Sequence, residues 1–273
     1  MKKSVLFLPV LILALGLTAC GNETPTAESN VLVMGTSADY APFEFMYPDE
    51  NGNMQFGGID VFAGEYIAEC MGRELQVENM AFDYLLTALG KGDYDMVLAC
   101  MEDTEERRIA ADFSEPYYAD MPTMIVARAK NADKYKTLAD LNGATVGAQT
   151  ATTKLDIVYD EISGANAVSL QNVNDLINEL CYDKLDAVVL DGSVAMEYVE
   201  VNPDLVVVGA SDELGTPAYY VVAVQKYDPK GLLPEINAAV AKMQEENMVD
   251  VFVEKADALS GVAVEVSADA PEE

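Results

Sequence analysis

Two segments of the chain share a pattern of a helix, a turn and a buried strand. They are LLTALGKGDYDMVLAC at residues 85–100 and LINELCYDKLDAVVLD at residues 176–191. Without a gap, four pairs coincide: Leu85 with Leu176, Leu89 with Leu180, Asp95 with Asp186 and Val97 with Val188. Solenoid repeats recur every ~20–50 residues, whereas these segments lie much further apart, so the pattern predicts two similar lobes. The alternative is convergence, because a helix followed by a turn and a buried strand is common.

The sequence as a whole alternates short apolar runs with amphipathic stretches. The runs predict strands at residues 31–34, 96–100, 123–127, 188–190, 205–208 and 219–224, and the stretches predict helices at 61–71, 84–89, 173–182 and 233–246. This alternation is typical of an α/β architecture with mostly parallel sheets. Asp60 precedes the periodic run that starts at Val61 and is predicted to be its N-cap. Gly72, Gly90 and Gly92 stand where helices are expected to end.

The composition excludes several classes of function. The 273 residues include 47 Asp and Glu against 16 Lys and Arg, a formal net charge of −31, and no His. Without histidine the chain has no Ser–His or Cys–His catalytic pair and no histidine-ligated zinc. The negative charge argues against a nucleic-acid partner, because such a partner requires a basic footprint. With 51% hydrophobic and 23% charged residues, the chain is expected to be globular.

Residues 1–19 are predicted to be a lipoprotein signal peptide. Two lysines precede an apolar stretch at residues 5–17, which is too short to span a bilayer core of ~30 Å. The stretch ends in LTAC at residues 17–20, which resembles the lipobox of bacterial lipoprotein precursors; the alternative is an ordinary signal peptide with a chance cysteine. The resemblance implies lipidation at Cys20, with residues 20–30 as a flexible tether. We therefore expect an extracytoplasmic protein, lipid-anchored to the bacterial cell membrane, without a transmembrane helix.

Landmarks spread over residues 31–254 follow the order and spacing of a known family. They are GTSADYAPFEF at 35–45, GIDV at 58–61, MAFD at 80–83, TEERR at 104–108, DFSEPYY at 112–118, LADLNG at 138–143, VGAQ at 146–149 and LDAVV at 185–189. With them the chain resembles the bacterial extracellular solute-binding proteins of polar amino-acid ABC transporters, solute-binding protein family 3. The resemblance implies an α/β, two-lobe periplasmic-binding fold that is type II-like, with two hinge strands and a ligand cleft between the lobes.

The resemblance also implies the division of the chain and the main ligand contacts. Lobe 1 is expected to contain residues 30–117 plus 221–262, lobe 2 residues 122–216, and an acidic tail residues 263–273. Four residues match family positions that hold an amino acid, namely Arg107 for the α-carboxylate, Asp191 for the α-ammonium, and Tyr40 and Phe82 around the side chain. A guanidinium fork suits a carboxylate, and aromatic faces suit apolar stems and cations alike. The alternatives are a solvated charged face for Arg107, a turn residue for Asp191 and plain core for the two aromatic residues.

Further candidates lie in two loops. Gln149, Thr152 and Thr153 match a loop that leads into a helix, where hydroxyl groups either contact the ligand or cap the helix. In the other lobe, Cys100-Met101-Glu102 stands where the family commonly has Gly-x-Thr or Gly-x-Ser. Cys100 and Glu102 are therefore also candidate ligand contacts, and Glu102 would repel an α-carboxylate. We infer a preference for zwitterionic or cationic amino acids over acidic ones, unless Glu102 points to solvent.

The predicted function is the substrate-binding component of an ABC import system. The protein is expected to be a monomer that closes about its hinge on a small-molecule amino acid and delivers it to a membrane permease. It requires no cofactor or metal in this reading and catalyses no reaction. Two alternatives remain from other classes. One is a dehydratase-type enzyme on the same scaffold, for which Glu102 and Asp191 are the candidate acid–base pair. The other is a sensory ligand-binding protein.

Overall fold

The computed structural model describes residues 30–268, and for residues 261–268 the backbone alone. Its strands are β1 Val31–Thr36, β2 Asp39–Tyr40, β3 Glu44–Pro48, β4 Met54–Gly57, β5 Glu74–Asn79, β6 Met96–Val97, β7 Ala111–Phe113, β8 Tyr118–Pro122, β9 Met124–Arg128, β10 Thr145–Gln149, β11 Asn166–Leu170, β12 Ala187–Leu190, β13 Leu205–Val207, β14 Pro217–Tyr220 and β15 Ala223–Gln225. Its α-helices are α1 Ile59–Cys70, α2 Phe82–Lys91, α3 Thr153–Asp160, α4 Val173–Cys181, α5 Gly192–Val201, α6 Leu233–Glu245 and α7 Met248–Ala268.

Four of the predictions fall at the ends of the chain. The signal peptide at residues 1–19, the lipidated Cys20 and the tether as far as residue 29 lie outside the described residues. So do residues 269–273 of the predicted acidic tail, which begins inside α7. Among the described helices, none combines the length and the apolar character that crossing a bilayer requires.

Two five-stranded sheets of the same topology form the centres of two lobes. The sheet of lobe 1 has the order β5-β1-β6-β15-β7, and that of lobe 2 has the order β11-β10-β12-β9-β13. In each sheet the first three strands are parallel, and the last two pair antiparallel. The sheets are therefore mixed rather than mostly parallel. Strands β9 and β15 each directly follow a strand that connects the lobes, β8 or β14. Each therefore runs through its sheet in the direction opposite to the first three strands.

The repeated segments occupy equivalent places in the two sheets. The strand of each repeat, β6 or β12, is the third of five and follows its helix, α2 or α4. The shared aspartate precedes this strand in both lobes. Asp95 accepts a hydrogen bond from the backbone N–H of Val33 at 2.7 Å, and Asp186 accepts one from that of Thr145 at 3.0 Å. Each aspartate thus joins its own strand to the start of the neighbouring parallel strand, a role that the sequence coincidence alone could not show.

Two antiparallel strands connect the lobes. In this hinge β8 pairs with β14, with Tyr220 opposite Tyr118 and Pro217 opposite Pro122. The strand predicted at residues 219–224 is in fact two strands, because β14 ends in the hinge and β15 begins in the sheet of lobe 1. The apolar run is continuous, since both strands are buried on at least one face. Its periodicity therefore gives no sign of the change of sheet.

Helix α1 begins before the predicted N-cap. Its N-cap is Gly58 and its first residue is Ile59, so the prediction of Asp60 as the cap is wrong. Asp60 is instead fully buried, and its carboxylate accepts hydrogen bonds from the Tyr117 hydroxyl at 2.6 Å and the Cys100 N–H at 2.8 Å. These partners lie 57 and 40 residues away in sequence. Asp60 therefore joins distant parts of the fold instead of capping its own helix.

Two of the three predicted helix-stop glycines follow their helices. Gly92 caps α2 at a φ of 84°, and Gly72 lies just beyond α1 at a φ of 66°. Both are left-handed conformations that favour glycine. Gly90 lies inside α2, so its prediction as a helix end is wrong. Helix α2 continues through Gly90 and ends at Gly92, whose left-handed conformation terminates it.

Candidate functional site

A narrow cavity lies between the two lobes, beyond the carboxyl ends of β6 and β12. Open α/β sheets commonly place their ligands at this edge. The residues that line the cavity are Ser37, Tyr40, Glu44, Phe82, Ala99, Cys100, Glu102, Arg107, Gln149, Thr152, Thr153, Lys154 and Asp191. All nine residues predicted from the sequence as ligand contacts are in this set. The sequence analysis did not name the other four, of which Lys154 directly follows the predicted loop and Glu44 belongs to a quoted landmark.

Arg107 reaches from lobe 1 across the cavity to lobe 2. It lies in a short 3₁₀ helix, Arg107–Ile109, and its guanidinium carbon is 5.3 Å from the centre of the Phe82 ring. The guanidinium donates to the backbone carbonyl of Glu102 at 3.0 Å and to that of Ala151, in lobe 2, at 3.2 Å. Burial lowers the pKa of Arg107, but a guanidinium remains protonated in proteins. Arg107 is thus a fixed cation inside the cleft, not part of a solvated charged face.

Asp191 lies opposite, where β12 passes into α5. It occupies the N-cap position of α5 but makes no side-chain capping bond, because its carboxylate points into the cleft. The Tyr40 hydroxyl of lobe 1 donates to Asp191 Oδ2 at 2.7 Å. Burial, with the nearby charge of Asp191, raises the pKa of Tyr40 well above its ordinary value, so the phenol stays a donor. The bond joins residues of opposite lobes.

Glu102 does not point to solvent. Its Oε1 accepts hydrogen bonds from the Thr153 hydroxyl and from Lys154 Nζ, each at 2.5 Å, and both donors belong to lobe 2. Burial acts to raise the pKa of Glu102, but Lys154 and Thr153 outweigh it and the pKa is lowered. The carboxylate is therefore ionised and compensated within the protein.

Lys154 is the cation that the sequence analysis missed. Its side chain is only 5% exposed, and its ammonium also forms an ion pair with Asp191. Burial acts to lower the pKa of Lys154, but the carboxylates of Asp191 and Glu102 outweigh it and the pKa is raised. The lysine therefore stays charged while it bridges one carboxylate from each lobe.

The two threonines at the start of α3 have different roles. The Thr152 hydroxyl accepts from the Leu155 N–H and donates to the carbonyl of Gln149, so Thr152 caps the helix. Thr153 instead reaches the carboxylate of Glu102, as described above. Gln149 donates its amide to the carbonyl of Gln171 at 2.9 Å, which ties the loop to the neighbouring strand end. Helix capping, which was the alternative for both threonines, therefore describes Thr152 but not Thr153.

The floor of the cavity is a buried acidic cluster. Ligand atoms of Glu44, Asp60 and Cys100 lie within 4.8 Å of one another. Burial raises the pKa of Glu44 and of the Cys100 thiol well above their ordinary values, and the charge of nearby carboxylates adds to it. Metal binding requires deprotonated ligands, and both oxygens of Asp60 already accept hydrogen bonds. The arrangement therefore suits a structural floor in which Glu44 and Cys100 stay protonated, rather than a metal site.

Further contacts close the mouth of the cleft. Asp39 Oδ2 accepts from the backbone N–H of Val173 at 3.0 Å, and Asp83 Oδ2 accepts from the Gln171 amide at 2.9 Å. In both pairs the carboxylate belongs to lobe 1 and the donor to lobe 2. Together with the bonds of Arg107, Tyr40 and Glu102, they are contacts between the two lobes, which lie in a closed arrangement.

Two lobes of one topology, two hinge strands and a charged, aromatic-lined cleft between the lobes define a ligand-binding protein of the periplasmic-binding type. The sequence profile of the bacterial extracellular solute-binding proteins, family 3, matches residues 32–256. The chain belongs to this family. The fold class predicted from the sequence is thereby confirmed.

Individual relatives agree with this assignment. The arginine-binding extracellular protein ArtP of Bacillus subtilis (strain 168) is 32% identical over 260 residues, which cover 93% of this chain and 98% of the relative. Among solved structures, the amino-acid ABC transporter substrate-binding protein AbpA of Streptococcus pneumoniae, bound to L-arginine, matches with a TM-score of 0.77 at 29% identity and covers 83% of this chain and 94% of its own. An ancestral arginine-binding protein bound to glutamine matches with a TM-score of 0.74 at 35% identity, covering 83% and 97%.

These relatives confirm the predicted solute-binding role in amino-acid ABC transport. The family and the relatives are solute-binding proteins, not enzymes, which disfavours the dehydratase alternative. The extracellular character of the family agrees with the expected extracytoplasmic location.

Proposed function

We propose that this protein binds a zwitterionic or cationic polar amino acid in the cleft between its lobes. The observation that carries the proposal is that Arg107 of lobe 1 and Asp191 of lobe 2 line the same cavity from opposite sides. A guanidinium fork matches an α-carboxylate, and a carboxylate matches an α-ammonium. Tyr40 and Phe82 add aromatic faces for the side chain. Relatives bound to arginine and to glutamine support a ligand of this kind.

The charge of the cavity favours a zwitterionic head group. Two cations, Arg107 and Lys154, face two anions, Glu102 and Asp191, and the high pKa of Glu44 keeps that group neutral. Because Lys154 compensates Glu102, the preference for cationic ligands does not depend on Glu102. It depends instead on the aromatic faces and on the negative charge of the whole protein, which attracts cations from solution.

The proposed mechanism is hinge closure. A ligand that touches Arg107 on one lobe and Asp191 on the other stabilises the closed state by its differential affinity for that state. The closed lobes then present a composite surface to an ABC permease, to which the protein delivers its cargo as a monomer. In this proposal Cys20 carries the lipid anchor, and residues 21–30 tether the lobes outside the cytoplasmic membrane.

The experiment is a thermal-shift screen of residues 21–273 against L-arginine, L-glutamine and the other common amino acids. A ligand at a hundred times its Kd stabilises by ~2.7 kcal/mol, which is a few degrees of Tm for a protein of this size. We expect a shift with arginine or glutamine that Arg107→Ala abolishes. Arg108→Ala is the matched control, because Arg108 is the next residue, is 60% exposed and pairs with Asp103 outside the cavity. No shift with any amino acid, or a full shift in Arg107→Ala, refutes the proposal.

A further inference from the structure

The protein places an ammonium and a carboxylate of its own in the cavity. Lys154 Nζ of lobe 2 lies 2.5 Å from Glu102 Oε1 of lobe 1, and the two side chains are 5% and 23% exposed. The contact is a direct, charge-assisted hydrogen bond. Glu102 and Lys154 are hereafter called the built-in pair. Since the two residues belong to different lobes, the pair can form only when the cleft is closed.

Each charge of the built-in pair lies near a residue that the proposed function assigns to the ligand. The Lys154 ammonium forms an ion pair with Asp191, the residue assigned to the α-ammonium. The Glu102 carboxylate lies in the attractive field of Arg107, the residue assigned to the α-carboxylate. It also accepts from Thr153, at the start of the loop helix of lobe 2. The pair therefore resembles the head group of a bound amino acid, with its carboxylate supplied by one lobe and its ammonium by the other.

We propose that the built-in pair holds the lobes closed in the absence of ligand, and that an amino acid binds by displacing Lys154 from Asp191 and by taking the place of the Glu102 carboxylate near Arg107. The displacement part rests on the proposed function, whereas the closure part does not. If the closed empty state is the more populated one, the apparent affinity for ligand is reduced by the fraction of molecules that are open. The pair thus sets a threshold concentration below which the cleft stays empty.

The test replaces both members of the pair by neutral residues of similar size, Glu102→Gln with Lys154→Met. A single replacement would leave a buried charge without its partner, which destabilises a protein strongly, whereas replacing both is close to neutral. The matched control is Glu179→Gln with Lys184→Met. These residues form an ion pair of 2.7 Å on the surface of lobe 2, away from the cavity.

Two measurements are made on ligand-free and arginine-saturated protein. Small-angle X-ray scattering gives the radius of gyration, and titration calorimetry gives the Kd for L-arginine. We expect the wild type and the control to keep the same radius with and without arginine. The double variant is expected to have a larger radius without ligand, to contract when arginine is added, and to bind arginine at least tenfold more tightly.

The outcomes separate the two parts of the proposal. A double variant as compact as the wild type without ligand shows that the pair does not hold the lobes closed. Weaker binding of arginine by the double variant shows that the pair contacts the ligand rather than competing with it. If no protein binds any amino acid but the double variant is expanded, the proposed function and the displacement part fail while closure by the pair stands.

Discussion

Asp60 should make the stability of the protein fall as the pH rises from 4 to 7. It lies beneath the cavity, fully buried, and hydrogen-bonds to the side chain of Glu44. Burial raises the pKa of Asp60 from its ordinary 3.8 to about 6, although the hydrogen bonds from Tyr117 and Cys100 act in the opposite direction. A carboxyl group whose pKa is higher in the folded than in the unfolded state binds more protons when folded. Its contribution is therefore present at low pH and lost as the pH rises.

The magnitude follows from the two pKa values. Between 3.8 and about 6 the unfolded protein has released the proton of Asp60 and the folded protein has not. A pKa difference of this size corresponds to about 3 kcal/mol, lost by about pH 7. Glu44 continues the decline at higher pH, because burial and the charge of Asp60 raise its pKa well above its ordinary value.

The assay is urea unfolding of the wild type and of Asp60→Asn at intervals from pH 4 to pH 8. The variant has no carboxyl group to titrate at this position, and without that charge the pKa of Glu44 should fall. Both effects flatten its curve. The difference in unfolding free energy, wild type minus variant, should therefore decrease by about 2–2.5 kcal/mol between pH 4 and pH 7, because at pH 4 the carboxyl group of the unfolded protein is already more than half ionised. Lost hydrogen bonds shift the whole curve of the variant without changing this slope.

The control is Asp133→Asn, because the side chain of Asp133 is 99% exposed. Its curve should run parallel to that of the wild type. Parallel curves for Asp60→Asn as well would show that Asp60 does not take up a proton on folding. The reasoning about the buried floor would then be refuted, whatever the absolute stability of the variant.

Two further substitutions test the packing of lobe 1 by urea unfolding. Phe252→Ala should cost about 3–5 kcal/mol, because the ring is buried and lies 6.5 Å from that of Phe62, joining α7 to α1; a cost below about 1 kcal/mol would contradict this packing. Gly58→Ala should cost more than about 2 kcal/mol, since its φ is 116° and the added Cβ would lie 2.1 Å from the carbonyl oxygen of Phe43. The matched control is Gly90→Ala in α2, where an added Cβ meets nothing within 4 Å and should stabilise by about 0.5–1 kcal/mol; equal effects at the two glycines would refute the argument.

Much of the fold could be predicted from the sequence because its strongest signals are local. The helix–turn–strand pattern at residues 85–100 and 176–191 is encoded within each segment, and it predicted two similar lobes. The hinge could not be predicted in the same way. Periodicity reports which residues are buried, not which sheet buries them, and the run at residues 219–224 is buried in two sheets. The prediction of Asp60 as an N-cap failed for a related reason. Its position before the apolar run resembles that of a cap, whereas its hydrogen-bond partners lie 40 and 57 residues away in sequence.

The candidate site shows the same division. Nine of its residues were predicted because they lie within the landmarks that are recognisable in sequence or a few residues from them. Lys154 has no such signal, since a lysine near the start of a helix usually extends into solvent. What makes it part of the site is Glu102, which is 52 residues away and on the other lobe. Such a pair becomes visible only when the lobes are placed together.

The departure at residue 102 and the lysine at residue 154 are best understood as one feature. A carboxylate in a buried cleft is costly unless a cation compensates it. The hydrogen bond from Arg107 to Glu102 goes to the backbone carbonyl and not to the carboxylate. Lys154 supplies the direct partner. Without Glu102, in turn, the buried Lys154 would pair only with Asp191, which is the residue proposed to bind the ligand ammonium, and it would make no ion pair with lobe 1. With Glu102 present, the same lysine joins the lobes. The ligand preference of this cleft therefore has to be derived from both residues together, because either one considered alone predicts the wrong net charge.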